Sequence, residues 1–210
     1  MLERVMEHIR YNYREGGVAQ IVRKLFYRAR TALWSEELHH VYRAETVGYS
    51  LPPRLPLVER IADLEELRRV KYFKLETFGH AIVARLGKGS ICRAFYLEGS
   101  FVNLIWETPF RLELSENVEF LLPETMGLLD GFTVPEFRRR GINSDTHIRL
   151  VHIAARSGYR YVVGAIHPDN AHSIRSYVKA GYYHYADAIV RRRFLTRSQE
   201  LRLVRPSLEA

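Results

Sequence analysis

The chain has 210 residues, of which 47% are hydrophobic, so it can bury a sizeable core as one globular domain with an appended segment. Its net charge of +8 attracts polyanions such as phosphorylated cofactors, nucleic acid or anionic lipid, unless it serves solubility alone. The single cysteine, Cys92, excludes an internal disulfide and suggests a cytoplasmic location, and neither a signal peptide nor a transmembrane run of about 18 apolar residues is expected.

The first predicted element is an amphipathic helix over Gly17–Trp34. Its apolar residues recur at spacings of three and four, and its charged residues are all basic. Such a helix packs onto the domain or a partner subunit, or else makes a peripheral contact with an anionic membrane. Both alternatives stay open, and we expect either a monomer or a homodimer.

A proline-rich stretch, Leu51–Pro56, divides the chain because proline disfavours regular structure around it. Residues 1–50 form a predicted N-terminal helical extension, and Leu38–Val47 within it is a possible first strand. Residues 51–210 form the main predicted domain. It opens with a mostly helical segment, Asp63–Leu86, which Asp63 caps and Gly87 ends.

The rest of the chain alternates strands and helices, which predicts a mixed α/β fold. A hairpin joins the first two predicted strands at residues 98–100. The predicted strands are Ser90–Leu97, Phe101–Glu107, Met126–Val134, Tyr159–Ile166, Tyr182–Leu195 and Glu200–Val204, and the predicted helices are Asn143–Ser157 and Ala171–Ala180.

The segment Thr133–Asn143 is a candidate phosphate site, because it follows a predicted strand and precedes a predicted helix. A turn there directs several main-chain N–H groups to one point, and the start of a helix adds positive potential. Gly141 permits a backbone conformation that other residues resist. Three consecutive arginines, Arg138, Arg139 and Arg140, strengthen the field. A solvated basic surface is the alternative interpretation of this segment.

A second segment, Asn170–Tyr182, follows the next predicted strand, and with it the chain resembles the GNAT acetyltransferases. Arg138, Gly141 and Asn143 occupy the fixed positions of that superfamily's motif A, although the last is usually Gly or Ala. The residues that match motif B are Asn170, Ser173, Tyr177, Lys179, Gly181 and Tyr182. The resemblance implies a mixed, mostly antiparallel sheet of about six or seven strands flanked by helices.

The resemblance also implies that acetyl-CoA, or another acyl-CoA, is the co-substrate. The phosphates would bind at the motif A turn, and the pantetheine arm would lie along the preceding strand. The implied cofactor-binding residues are Phe132, Thr133, Val134, Arg138, Arg139, Arg140, Gly141, Ile142, Asn143, Ser144, Asn170, Ser173 and Tyr177.

The implied reaction is direct attack of an amine on the thioester. At pH 7 only about one lysine-like amine in 10³ is neutral, so a general base would help. Asp130 and Glu124 are candidate bases, and a hydrogen-bonded strand or turn residue is the alternative for Asp130. The resemblance places Tyr177 as the acid for the thiolate, whereas a packed helix aromatic is its other interpretation. A main-chain N–H near Phe132 or Thr133 would serve the oxyanion.

The acceptor is expected to be an amine on a small molecule or a peptide, selected by loops at Leu51–Ile61 and Phe110–Thr125. Two alternatives remain: a catalytically silent GNAT-like domain that binds CoA, and a basic module that binds nucleic acid or an anionic membrane. No nucleic-acid motif is present, so nucleic acid is not expected. The histidines lack a ligand set at recognised spacing, so the sequence predicts no metal, and Cys92 is interpreted as a small buried residue.

Overall fold

One eight-stranded sheet organises the described part of the chain. The computed structural model describes residues 34–63, 84–115, 118–193 and 196–204. The strands are β1 Trp34–Glu45, β2 Val58–Ile61, β3 Ile91–Leu97, β4 Ser100–Ser115, β5 Val118–Thr133, β6 Tyr161–Ile166, β7 Tyr183–Arg193 and β8 Thr196–Leu203. The sheet is larger than the six or seven strands that the resemblance implied.

The strands lie in the order β2-β3-β4-β5-β6-β1-β7-β8. The neighbours from β2 to β5 pair antiparallel, β5 pairs parallel with β6, and β6 pairs antiparallel with β1. The mixed, mostly antiparallel sheet is thus confirmed. The predicted first strand, Leu38–Val47, corresponds to β1, which lies inside the sheet between β6 and β7.

Two helices cover one face of the sheet. Helix α1 spans Ile142–Arg156 and helix α2 spans Ala171–Lys179, close to the predicted bounds. Their apolar sides share a core with residues from β1, β4, β5 and β6. The large residues of this first core cluster include Tyr42, Ile105, Leu128, Ile148, Leu150, Val151, Val162 and Tyr177.

A second core cluster lies on the opposite face of β3 to β5. Ile105 belongs to the first cluster, whereas its neighbours Leu104 and Trp106 belong to the second. Successive side chains of a strand point to opposite faces, so the two clusters are separated by the sheet. Cys92 is fully buried in the second cluster, as expected for a packed residue.

The long hairpin of β4 and β5 corrects one expectation. Phe110–Thr125 was expected to be a specificity loop, but all of its described residues lie in these two strands. The ladder between them contains three register shifts, and Phe110 and Glu124 have positive φ angles of 58° and 57°. Such irregularities break the alternation of apolar and polar residues that identifies a strand in sequence.

The chain divides into two compact units. The described part of the larger unit comprises residues 38–63, 84–115, 118–188 and 201–204, which include every candidate site residue. In the smaller unit, comprising described residues 34–37, 189–193 and 196–200, Arg191 pairs with Glu36 at 2.7 Å and Glu200 at 3.0 Å.

Two predicted elements fall largely outside the described residues, namely the amphipathic helix Gly17–Trp34 and the helical segment Asp63–Leu86. Only the ends of these segments are described. Trp34 begins β1, and residues 84–87 are helical. Among the helices that the structure does describe, none combines the length and the apolarity needed to cross a bilayer.

Candidate active site

The candidate site lies where β5 and β6 part. Their parallel ladder runs from the pair Thr125 and Tyr161 to the pair Leu128 and Gly164. Beyond that pair β5 continues to Thr133 beside β4, while β6 continues to Ile166 beside β1. The two strands therefore cease to pair towards their carboxyl ends, which leaves a gap between them.

A bulge in β5 lies immediately beyond the last of these pairs. Trp106 of β4 faces Leu129 and Leu104 faces Phe132, so Ile105 has two residues, Asp130 and Gly131, opposite it. Asp130 has a positive φ of 47°. A bulge leaves a residue out of the ladder and changes the direction of its main-chain groups.

The candidate base Asp130 is held by an arginine. Its carboxylate pairs with Nη2 of Arg85 at 2.6 Å, and 55% of the side chain is exposed. The Arg85 guanidinium lies over the Trp106 ring, which belongs to the second core cluster. The structure therefore places Asp130 at the bulge with its carboxylate engaged on the face opposite α1 and α2. Glu124 is also exposed, at the other end of the β5–β6 ladder, where its carbonyl accepts the Arg160 N–H.

The turn between β5 and α1 leads directly into the start of a helix. A short 3₁₀ helix, Pro135–Phe137, follows β5, and Gly141 caps α1 with a left-handed φ of 79°. The first hydrogen bond of α1 runs from the Asp145 N–H to the Gly141 carbonyl at 3.0 Å. The N–H groups of residues 142–144 thus precede the helical ladder and point out of the helix start.

The three arginines of this turn are exposed and differ in their contacts. Arg138 donates from Nε to the Thr133 carbonyl at 3.0 Å and lies 5.8 Å from the Phe132 ring. Arg140 lies 5.2 Å from the Phe137 ring. Arg139 has a positive φ of 65° and lies two residues before Gly141 in the same turn. Their charges lie in the turn that leads into α1 and add to its positive potential.

The side chains of several predicted cofactor residues serve the backbone of the site. The Ser144 hydroxyl donates to the Gly141 carbonyl at 2.9 Å, and Asn170 caps α2 by accepting the Ser173 N–H at 3.2 Å. Val134 and Ile142 are buried, so only their main-chain groups can serve a ligand. These residues shape the two helix starts that flank the gap between β5 and β6.

Asn143 departs from the usual Gly or Ala of motif A, and its side chain points towards β5. Its Oδ1 lies 4.0 Å from the position that a Cβ on Gly131 would occupy. The amide is therefore directed towards the bulge of β5. It stands beside the gap between the strands, where a hydrogen-bonding side chain replaces the usual hydrogen or methyl group.

Tyr177 of α2 lies directly over the point where the strands separate. A Cβ on Gly164 would come within 2.7 Å of Cε1 and Cζ of the Tyr177 ring and still closer to its hydroxyl oxygen. Gly164 is the last β6 residue paired with β5, so the phenol oxygen stands at the apex of the gap. Burial raises the pKa of Tyr177 well above its ordinary value, so the hydroxyl keeps its proton at neutral pH.

His147 is a site neighbour that the sequence did not single out. It lies in α1 with 1% of its surface exposed, and its ring centroid is 4.0 Å from that of Tyr177. Its Nδ1 has no hydrogen-bond partner among the described residues. Burial lowers the pKa of His147 to about 3, so the ring is neutral at physiological pH.

By sequence, no protein-family model and no curated protein matches the chain. By structure, it is similar to a GNAT-family acetyltransferase from Colwellia psychrerythraea, with a TM-score of 0.55 and 15% identity over 81% of this chain. A GCN5-related N-acetyltransferase from Sphaerobacter thermophilus gives a TM-score of 0.55 and 12% identity over 90% of this chain. The GCN5-related glucosamine N-acetyltransferase region of a fungal multi-domain beta-N-acetylglucosaminidase gives a TM-score of 0.54 and 12% identity over 84% of this chain.

The chain has the GNAT fold. It spans 62%, 59% and 23% of these three proteins, respectively, so each of them extends well beyond the shared part. The fold that the motif resemblance implied is thereby confirmed. In this GNAT fold the motif A turn and the motif B helix stand on either side of the same gap, with Tyr177 at its apex.

Proposed function

We propose that the chain is an acyl-CoA-dependent N-acyltransferase, which moves an acetyl group to an amine. One observation carries this proposal: the Tyr177 hydroxyl stands over Gly164, where β5 and β6 part. In the proposed step the amine nitrogen attacks the thioester carbonyl, the C–S bond breaks, and the thiolate leaves. Tyr177 supplies its proton to that thiolate, and the amine gives up its proton to water or a base.

The arrangement suits acetyl-CoA as the co-substrate. The N–H groups ahead of the α1 ladder and the three arginines would hold the phosphates. Apart from its own chain neighbours, no described residue lies within 4 Å of where a Cβ on Gly141 would sit, so a phosphate would have room there. The part of β5 that pairs with β4 but lies beyond the β6 ladder, from Leu129 to Thr133, would hydrogen-bond the pantetheine arm, with Asn143 beside it.

The proposed acid, Tyr177, and the proposed base, Asp130, lie in different environments. Tyr177 is the proposed acid for the leaving thiolate because its hydroxyl stands at the apex of the gap, although burial raises its pKa and makes it a weaker acid than a free phenol. Asp130 is exposed and paired with Arg85, so it would accept the amine proton through water. The bulge at Asp130 and Gly131 follows the last pair of β5 with β6, and its main-chain N–H groups are the proposed donors to the oxyanion.

Binding of CoA to a Gly141→Glu variant tests the location of the site. The introduced glutamate would add a negative charge at the proposed phosphate turn and strain a backbone with φ of 79°. We expect CoA to raise the melting temperature of the parent chain but not that of the variant.

Gly158→Glu is the matched control, because Gly158 has φ of 81° and equally open space, but it follows the other end of α1. It should suffer the same strain and keep its CoA-induced shift. If CoA protects the Gly141 variant as well as the Gly158 variant, the phosphates bind elsewhere.

Turnover then separates an enzyme from a silent CoA-binding domain. Release of free thiol from acetyl-CoA would be measured with a panel of small and peptide amines. An acyltransferase releases thiol in an amine-dependent manner, whereas a silent domain shows the CoA-induced shift without turnover. A chain stabilised by oligonucleotides or anionic vesicles but not by CoA would instead be a basic binding module.

A further inference from the structure

Two imidazoles and a carboxylate converge on the neighbouring strands β1 and β7, outside the proposed acyl-transfer site. His40 lies in β1, and His184 and Asp187 lie in β7. Nδ1 of His40 is 2.8 Å from Oδ1 of Asp187, and Nε2 of His184 is 2.9 Å from the same oxygen. One possible ligand atom from each residue lies within 4.8 Å of the other two.

We propose that His40, His184 and Asp187 bind a divalent transition-metal ion, for which Zn²⁺ is the best match. Imidazole nitrogen with carboxylate oxygen is a donor set that zinc accepts, whereas Mg²⁺ and Ca²⁺ prefer oxygen alone. Ligand bonds of about 2.0–2.2 Å around a tetrahedral ion place donor atoms about 3.4 Å apart. Each nitrogen would therefore lie about 0.5–0.6 Å farther from Oδ1 of Asp187 when the ion enters.

The surroundings of the three side chains suit an accessible metal. His40, His184 and Asp187 keep 26%, 32% and 27% of their side-chain surfaces exposed, so an ion can enter and a water can complete its coordination. The His184 ring stacks on Tyr42 with centroids 5.5 Å apart, which fixes its plane. The ligands thus come from two strands of one sheet, and one of them is held by an aromatic neighbour.

His40, Asp187 and His184 already contact one another without an ion. Without an ion, the same contacts are two N–H donors shared by one carboxylate oxygen, and this metal-free cluster is the alternative that the experiment must distinguish.

The test is a metal titration of the full-length, metal-free chain with Zn²⁺ against a chromophoric chelator and with Co²⁺ by visible absorption. We expect one ion per chain with a micromolar or tighter dissociation constant. His40→Gln and Asp187→Asn should each weaken binding about tenfold or more, because each removes a direct ligand. His172→Gln is the matched control, since His172 is exposed and bonded to Arg175 rather than to this cluster.

Several outcomes would overturn the proposal. A wild-type chain that binds no Zn²⁺ in the micromolar range has only a hydrogen-bonded cluster. If wild type, His40→Gln and His184→Gln bind Zn²⁺ with equal affinity, any bound ion lies elsewhere. A loss of Zn²⁺ binding in His167→Gln would lead to the same conclusion, because His167 lies outside the cluster. If Asp187→Asn does not fold by circular dichroism, the two histidine variants still decide the matter. None of these readouts depends on acyl transfer, so the result stands apart from that of the proposed function.

Discussion

At the scale of single residues, the Tyr177 hydroxyl can be removed without disturbing the packing of its ring. In Tyr177→Phe the ring still fills its place over Gly164, but the proton donor at the apex of the gap is gone. General acids contribute about 10²–10⁴-fold, so we expect kcat to fall by about a hundredfold with little change in KM. Steady-state kinetics with acetyl-CoA and an accepted amine would measure both constants.

Tyr42→Phe is the appropriate control for this substitution. Tyr42 is also buried, and its ring lies 6.1 Å from that of Tyr177, but it belongs to β1 rather than to the motif B helix. The Tyr42→Phe variant should keep most of the turnover of the parent chain. A Tyr177→Phe enzyme that is as fast as the parent chain would assign Tyr177 to packing alone.

At the scale of elements, the packing of α2 on β6 depends on the absence of a side chain at Gly164. A methyl group there would lie 2.7 Å from the Tyr177 ring carbons, and a buried ring cannot swing away freely. We expect Gly164→Ala to cost about 1–3 kcal/mol of unfolding free energy and to lower kcat by displacing the hydroxyl. Urea unfolding and turnover would measure the two effects.

The two effects can be separated in a second background. Tyr177→Leu removes the ring that the methyl group would meet, so Gly164→Ala should then cost much less unfolding free energy than it does beside Tyr177. The difference between the two costs is the coupling energy of this contact. Equal costs in both backgrounds would mean that Gly164 is required for another reason.

The elements that the sequence predicted well are those whose signals are local. Helices α1 and α2 have regular apolar spacing and end before Gly158 and Gly181, both with positive φ. The site turn could be predicted because its motif lies in one continuous segment. The place of β1 between β6 and β7 could not, since strand order depends on pairing between distant parts of the chain.

Dependence on distant parts of the chain also explains why the sequence did not predict the cluster of His40, His184 and Asp187 or the burial of His147. His40 and Asp187 are far apart in the chain, and His184 and Asp187 are three residues apart, a separation that puts side chains on opposite faces of a regular strand. His147 occupies a helix face whose burial depends on Tyr177 and Tyr182. Only the fold brings these groups together.

At the scale of the whole molecule, His147 should make folding stability depend on pH. Burial lowers its folded pKa to about 3, whereas an unfolded imidazole titrates near 6.5. Between these values the unfolded chain binds one more proton than the folded chain, so stability rises with pH there and is complete above about 6.5. At about pH 5 this single group should therefore cost about 2 kcal/mol relative to neutral pH.

Replacing His147 isolates its share of this pH dependence from that of the rest of the chain. His147→Leu removes the titrating ring and the buried Nδ1 that has no hydrogen-bond partner among the described residues. Its loss of unfolding free energy between about pH 7 and about pH 5 should be smaller than that of the parent chain by about 2 kcal/mol, as measured by urea unfolding. His172→Gln, which changes an exposed histidine, should keep the parent's pH dependence. If the unfolding free energy of His147→Leu and that of the parent change equally with pH, His147 keeps its ordinary titration in the folded chain. Water would then reach its ring, although the packing of Tyr177 and Tyr182 against the ring should exclude water.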